Sequence, residues 1–225
     1  MLNHNRSHSR TRARSAGSWI GAWLARRERR GPQPRPCGDG SCGCHGAVGT
    51  RHAPAGARRV ALVGSPNVGK SALFNLLTGV YATVSNYPGT TVEIMRGEGI
   101  VGSEAVELID TPGLYSFLPV TEEERVTWRL LQEERPDLVL HVVEAAALDR
   151  MLPLTLQLLE AGFPVILVLN MMDECERLGL SVKVDALSSR LGIPVVATVA
   201  ASGRGVQELE QEVARCGRLL LEHAV

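Results

Sequence analysis

Three groups of residues have types and spacing that suit a nucleotide's phosphates, a divalent cation and a purine base. The first is Gly64-Ser65-Pro66-Asn67-Val68-Gly69-Lys70-Ser71, with the spacing G-x-x-x-x-G-K-[ST] after the apolar run 60–63. A buried strand leading through a glycine-bounded turn into a helix lets successive backbone N–H groups point at one anion, and the helix adds its positive end. Lys70 supplies charge for the outer phosphates, and the Ser71 hydroxyl can join a magnesium shell. The second group, Asp110-Thr111-Pro112-Gly113, follows the apolar stretch 106–109. Asp110 can hold Mg2+ through a water, and the Gly113 N–H can meet a terminal phosphate. The third, Asn170-Met171-Met172-Asp173, follows the most apolar run in the chain, 164–169. An aspartate carboxylate accepts two N–H bonds from guanine, a pair that adenine cannot supply. Asn170 is placed to contact the base and to tie its loop to the phosphate loop. These groups predict binding of GTP and GDP with Mg2+.

Two weaker elements complete the set. The run 194–199 leads into Ala200-Ala201-Ser202, where a backbone N–H can reach the guanine oxygen. Between the first two groups lies SNYPGTTVE (85–93), whose Thr91, preferred over Thr90, would coordinate Mg2+ in the triphosphate state and release it after hydrolysis.

These residues need a scaffold that brings several loops to one edge. Strands are predicted at 59–63, 92–101, 105–109, 137–143, 164–169 and 194–199. Helices are predicted at 70–77, 121–134, 149–161, 183–191 and 206–222, the second opening on a capping box of Thr121 and Glu124. Alternating strands and helices give an α/β doubly wound, mostly parallel sheet with flanking helices, which binds ligand at the strand carboxyl ends. Every group above sits at such an end. With only 4% aromatic residues, the core must be aliphatic.

The phosphate loop, NYPGTTVE, DTPGLYS (110–116), LPLTLQLLEAGFPVILVLNMMDE (152–174) and LGIPVVATVAASGRGV (191–206) together resemble the GTPase domain of FeoB, the bacterial ferrous iron transporter, over about residues 58–222. Era and Der, GTPases of the same broad class, share the phosphate loop and DTPG but not the other stretches. The resemblance implies a P-loop GTPase fold at 58–225 and a role in ferrous iron uptake. It also implies a partner, a FeoB-type membrane permease domain or separate subunit, and a place at the cytoplasmic face of a bacterial membrane. The family loop reads closer to Asn-Pro-Asn-Ser-Gly-Lys-Thr, where this chain has Ser65, Val68 and Ser71. Its Asp-Ala-Thr-Asn segment appears here as Glu144-Ala145-Ala146-Ala147. Lys70, Thr91 and Asn67 are the catalytic candidates. In FeoB-like and Era-like GTPases an asparagine at the place of Asn67 helps hold K+, which supplies the charge of an arginine finger. Leu114 stands where Ras-like enzymes carry the water-positioning glutamine, so hydrolysis should be slow. A nucleotide-dependent binding switch of the Era or Der kind, unconnected with iron transport, is the alternative.

The overall formal charge of zero hides an asymmetry. Residues 1–58 hold eleven Arg, no Lys and two acids, Glu28 and Asp39, a net +9 balanced by −9 in the remainder. Residues 1–57 are rich in Gly, Pro and Ser and read as a disordered basic tail. Within it, Trp19, Ile20, Trp23 and Leu24 share one helical face followed by arginines, a pattern that suits contact with an anionic membrane surface. Nucleic acid is not an expected partner, since no base-stacking fold accompanies the arginines. Three of the five cysteines cluster as Cys37, Cys42 and Cys44 beside His45, a set of soft ligands for zinc or iron, or a flexible Cys-Gly stretch. Cys175 and Cys216 read as small helix residues. No run of eighteen apolar residues occurs, so this polypeptide would need a membrane partner to serve transport. It reads as a fragment, a split subunit or a free-standing GTPase.

Overall fold

A computed structural model describes residues 57–78, 82–101, 104–116 and 118–222, with side chains through residue 217. The basic tail, its Trp19–Leu24 face and the Cys37, Cys42, Cys44 and His45 cluster lie outside the described residues.

Seven strands form one sheet in the order β2-β3-β4-β1-β5-β6-β7. They are β1 (Arg58–Val63), β2 (Ala82–Asn86), β3 (Glu93–Val101), β4 (Glu104–Asp110), β5 (Leu138–Glu144), β6 (Val165–Asn170) and β7 (Val195–Ala197). The five strands from β4 to β7 pair in parallel, whereas β3 runs antiparallel to both β4 and β2. The helices are α1 (Lys70–Leu77), α2 (Glu122–Glu134), α3 (Leu148–Glu160), α4 (Met172–Arg177), α5 (Val184–Leu191) and α6 (Val206–Glu222).

β1 shows why this sequence makes a two-faced layer. Its residues 60–63 are all buried, and successive side chains go to opposite faces. Val60 and Leu62 pack with Phe74 and Leu77 of α1 and with Leu209 and Val213 of α6. Ala61 and Val63 pack with Leu131 of α2 and with Leu154 and Leu158 of α3. A strand buried on both faces must be apolar throughout, which is why the parallel strands read as unbroken hydrophobic runs. The predicted capping box is formed. Thr121 Oγ1 accepts from the Glu124 N–H at 3.1 Å, and Glu124 Oε2 accepts from the Thr121 N–H at 3.1 Å.

Two elements depart from the sequence expectation. β2 was not foreseen, because all five of its residues are exposed and its sequence ATVSN carries no burial pattern. It exists by pairing with β3, from Ala82↔Gly97 to Asn86↔Glu93. The six-residue α4 follows directly on the Asn170 loop, too short to show helical periodicity.

Candidate nucleotide-binding site

β1 has β4 on one side and β5 on the other, so the loops leaving their carboxyl ends open onto a common crevice where the chain direction switches. The loop 64–69 leaves β1 there. Lys70, the first residue of α1, turns back into it: Nζ donates to the Gly64 carbonyl at 3.1 Å and to the Ser65 carbonyl at 3.0 Å. The residue is 7% exposed. Burial pulls its ammonium below the usual lysine range, and the nearby Asp110 and Glu123 carboxylates oppose that shift. Pro66 and Asn67 are exposed at the loop's crest, Asn67 in the left-handed region at φ 65°. Gly69 has φ 91°, and a Cβ there would lie 2.2 Å from Asn170 Nδ2. Only glycine satisfies both conditions.

Asp110 ends β4 with a divided carboxylate. Oδ2 accepts the Ser71 hydroxyl at 2.6 Å, while Oδ1 is buried without a hydrogen-bond partner. Burial raises its carboxyl pKa, offset in part by Ser71 and Lys70. A hydroxyl beside a carboxylate with one unsatisfied buried oxygen fits a hard divalent cation and its waters, the Mg2+ expected from the sequence. Thr111 is buried and fixes the segment by donating from Oγ1 to the Leu62 carbonyl at 2.7 Å. The Pro112 carbonyl accepts the Thr127 hydroxyl at 3.0 Å. Gly113 lies so near Pro66 that a Cβ would stand 2.5 Å from its ring. Leu114 is fully buried in the core against α2 and α3, and its N–H donates to the Gly64 carbonyl at 3.1 Å. Its side chain therefore packs the interior.

Asn170, 2% exposed at the end of β6, joins three loops. Its Nδ2 donates to the Val68 carbonyl at 2.9 Å. Its Oδ1 accepts the Ala200 N–H at 2.9 Å and the Thr198 hydroxyl at 3.1 Å. The tie to the phosphate loop is thus formed as the sequence suggested. Met171 adopts a left-handed turn at φ 59°, Met172 packs on the core, and Asp173 stands exposed on the first turn of α4. The Ala200 N–H is taken by Asn170, whereas Ala201 is exposed.

Thr91 is exposed in the segment before β3, and Thr90 is committed to a local turn. Thr90 Oγ1 donates to the Tyr87 carbonyl at 3.0 Å and accepts the Val92 N–H at 3.2 Å. The Tyr87 hydroxyl donates to Glu133 on α2, and burial together with that carboxylate pushes the phenol up to about 12.

Sequence reading missed three contributors. Thr198 completes the Asn170 cluster. Glu124 reaches beyond its cap to accept the N–H groups of Val120 at 2.8 Å and Tyr115 at 3.3 Å, fixing the segment that follows Gly113. Burial raises its carboxyl pKa, but these backbone donors outweigh that and hold it below the usual range. His141 lies buried on β5 near the loop. The capping-box spacing pointed to Glu124, but no local signal marks the other two.

The family model described as ferrous iron transport protein B matches residues 58–213, more than two thirds of the chain. This chain belongs to that family. The matched part is a FeoB GTPase domain, which favours this assignment over the Era and Der alternative. It is 49% identical over 152 residues to an Fe(2+) transport protein A/Fe(2+) transporter FeoB fusion protein of Porphyromonas gingivalis, covering 67% of this chain and 18% of that protein. The G domain of T. maritima FeoB superposes with a TM-score of 0.67 at 36% identity, covering 72% of this chain and 99% of that one. A GDP-bound variant of the S. thermophilus FeoB G domain matches at 43% identity and a TM-score of 0.65, covering 71% and 60%. The chain spans about a fifth of the length of the curated transporters it matches. Among the described residues no helix is long and apolar enough to cross a membrane, and no group of three or more His, Cys, Asp or Glu is placed to hold a metal.

Proposed function

We propose that this FeoB domain binds GTP and GDP with Mg2+, hydrolyses GTP slowly, and through its nucleotide state regulates ferrous iron passage through a FeoB-type membrane domain. It would act at the cytoplasmic face of the membrane. The observation that carries the reading is Asn170. One buried side chain fastens the phosphate loop at Val68 to the loop at Ala200, and Asp173 follows three residues later, exposed. That arrangement supports a reading in which a phosphate site and a guanine site share one crevice.

In this reading Lys70 trades its two loop carbonyls for phosphate oxygens, and the N–H groups of 64–71 surround the same anion. Ser71 and Asp110 would hold Mg2+, which would supply positive charge to the outer phosphates. Asp173 accepts the guanine N–H pair, and the Ala201 N–H serves the guanine oxygen, since that of Ala200 is engaged. Thr91, with no local turn to maintain, is the residue that closes on the triphosphate state. Because Leu114 packs in the core, no side chain from that position orients the attacking water. Slow turnover follows, and Asn67 would hold a K+ that supplies charge to the transition state.

The test is displacement of a fluorescent GDP analogue. GTP and GDP should compete at micromolar concentration or below, and ATP about a hundredfold more weakly or worse. Equal competition by ATP would refute guanine recognition. Hydrolysis should be faster in potassium than in sodium buffer, and Asn67→Ala should abolish the difference. A rate indifferent to the cation would remove K+ from the mechanism.

A further inference from the structure

On the α3 side of the phosphate loop lies a cavity of about 260 Å3, lined by Ser65, Tyr115, His141, Arg150, Met151 and Leu154. It borders the nucleotide crevice at Ser65, and none of Lys70, Ser71, Asp110, Asn170 and Asp173 lines it. Its chemistry centres on His141, which is 1% exposed. Burial drives the imidazole down to about 3, with Lys70 adding to the shift, so the ring is neutral at physiological pH.

The proton on that ring can be placed. His141 Nδ1 lies 2.9 Å from Thr155 Oγ1, the one hydrogen bond of that fully buried hydroxyl among the described residues. A buried O–H without an acceptor is costly, so the hydroxyl donates to Nδ1 and the ring proton sits on Nε2. Among the described residues, the ring's hydrogen bond is the one at Nδ1, which leaves Nε2 for the cavity that His141 lines. A neutral donor at the wall of a cavity needs an acceptor. Arg150, exposed and in no ion pair among the described residues, brings a positive charge to the same space. Met151 and Leu154 make the remaining wall apolar, Met151 held by the Glu144 N–H on its sulfur at 3.3 Å.

We propose that this cavity binds a small organic carboxylate, its oxygens meeting His141 Nε2–H and the Arg150 guanidinium and its apolar body lying on Met151 and Leu154. Two walls belong to nucleotide-responsive segments. Ser65 is in the phosphate loop, and Tyr115 follows Leu114, whose N–H is bonded to Gly64. Occupancy therefore biases the segment after Gly113 and changes nucleotide affinity, a coupling that rests on the function proposed above.

The experiment uses the whole chain labelled with 15N, without nucleotide, and sodium benzoate as the probe. Long-range imidazole correlations should show the Nε2–H tautomer of His141. Benzoate should shift that ring and the Tyr115 amide saturably, with a Kd on the order of millimolar. Acetate, lacking the apolar body, and benzamide, lacking the charge, should bind about tenfold more weakly or worse. Arg150→Gln, at an exposed position, should fold normally and weaken benzoate about fivefold or more. The site is overturned by an Nδ1–H tautomer, by the absence of saturable shifts, by equal binding of benzamide, or by full affinity in Arg150→Gln. Saturating benzoate should also change GDP affinity, and GDP should change benzoate affinity by the same factor. Benzoate binding that leaves GDP affinity unchanged would overturn the coupling alone, and loss of GDP binding would strike the nucleotide reading alone.

Discussion

Replacing Asn170 tests how far one side chain holds the nucleotide crevice together. Asn170→Ala deletes three hydrogen bonds, to Val68, Ala200 and Thr198, at a residue 2% exposed. A hydrogen bond contributes about 0.5–1.5 kcal/mol net, and a partner left buried and unpaired costs about 1–3 kcal/mol. Some of the freed groups can be reached by water entering the space left by the amide, so we expect a loss of about 3–4 kcal/mol. Set against a typical domain stability of roughly 5–15 kcal/mol, the variant should fold but unfold at a clearly lower urea concentration with little change in m. GDP affinity should fall about a hundredfold or more, because the loops bearing the phosphate and base contacts lose their common anchor. Asn170→Asp separates the two halves of the cluster. It keeps an acceptor for Ala200 and Thr198 but sets a second oxygen against the Val68 carbonyl, where Nδ2 now stands at 2.9 Å. Gly69→Ala should act on the same contact, since its Cβ would fall 2.2 Å from Nδ2. In the Asn170→Ala background its cost should shrink to the backbone strain of φ 91°, about 1–2 kcal/mol. The reasoning fails if Asn170→Ala loses under about 1 kcal/mol and keeps its GDP affinity, or if the two substitutions are additive.

Asp110→Asn should have opposite effects on two properties. It relieves the burial cost of the carboxylate, so thermal stability without ligand should hold or rise, while Mg2+-dependent GTP affinity should drop about tenfold or more; a fall in stability with Mg2+ dependence intact would contradict this. The folded His141 titrates near 3 against 6.5 for the free group, so between those values the unfolded chain binds the extra proton. Stability is therefore full above about pH 6.5 and falls by about 1.4 kcal/mol per unit below it, close to 2 kcal/mol between pH 7 and 5. Urea titrations across that range should show the slope, and His141→Gln should flatten it. Asp173→Asn should shift preference from guanine toward xanthine nucleotides, whose extra oxygen accepts the amide N–H; unchanged GTP selectivity in the displacement assay would argue against Asp173 as the base reader.

The parts of this domain that are local can be read from the residues alone. Apolar runs fully buried on both faces, such as 60–63 and 165–169, are legible because burial on two faces admits no polar alternation. The loop glycines, the Thr121–Glu124 box and the Asn170-to-Asp173 spacing are readable because backbone geometry and short-range hydrogen bonds set them. Other features depend on partners distant in the chain and emerge once the layers assemble. β2 has no burial pattern and becomes a strand because β3 offers an edge. Thr90 and Thr91 are alike in sequence, and the turn at Tyr87 engages one of them. Leu114 occupies a position where a side chain could face the phosphates, yet its contacts with α2 and α3 draw it inward. The unpartnered Asp110 oxygen follows from what the sheet brings near it, and so does the imidazole of His141 between β5 and α3. Each of those groups has its electrostatics set by burial, and burial is a property of the assembled layers that no single segment contains.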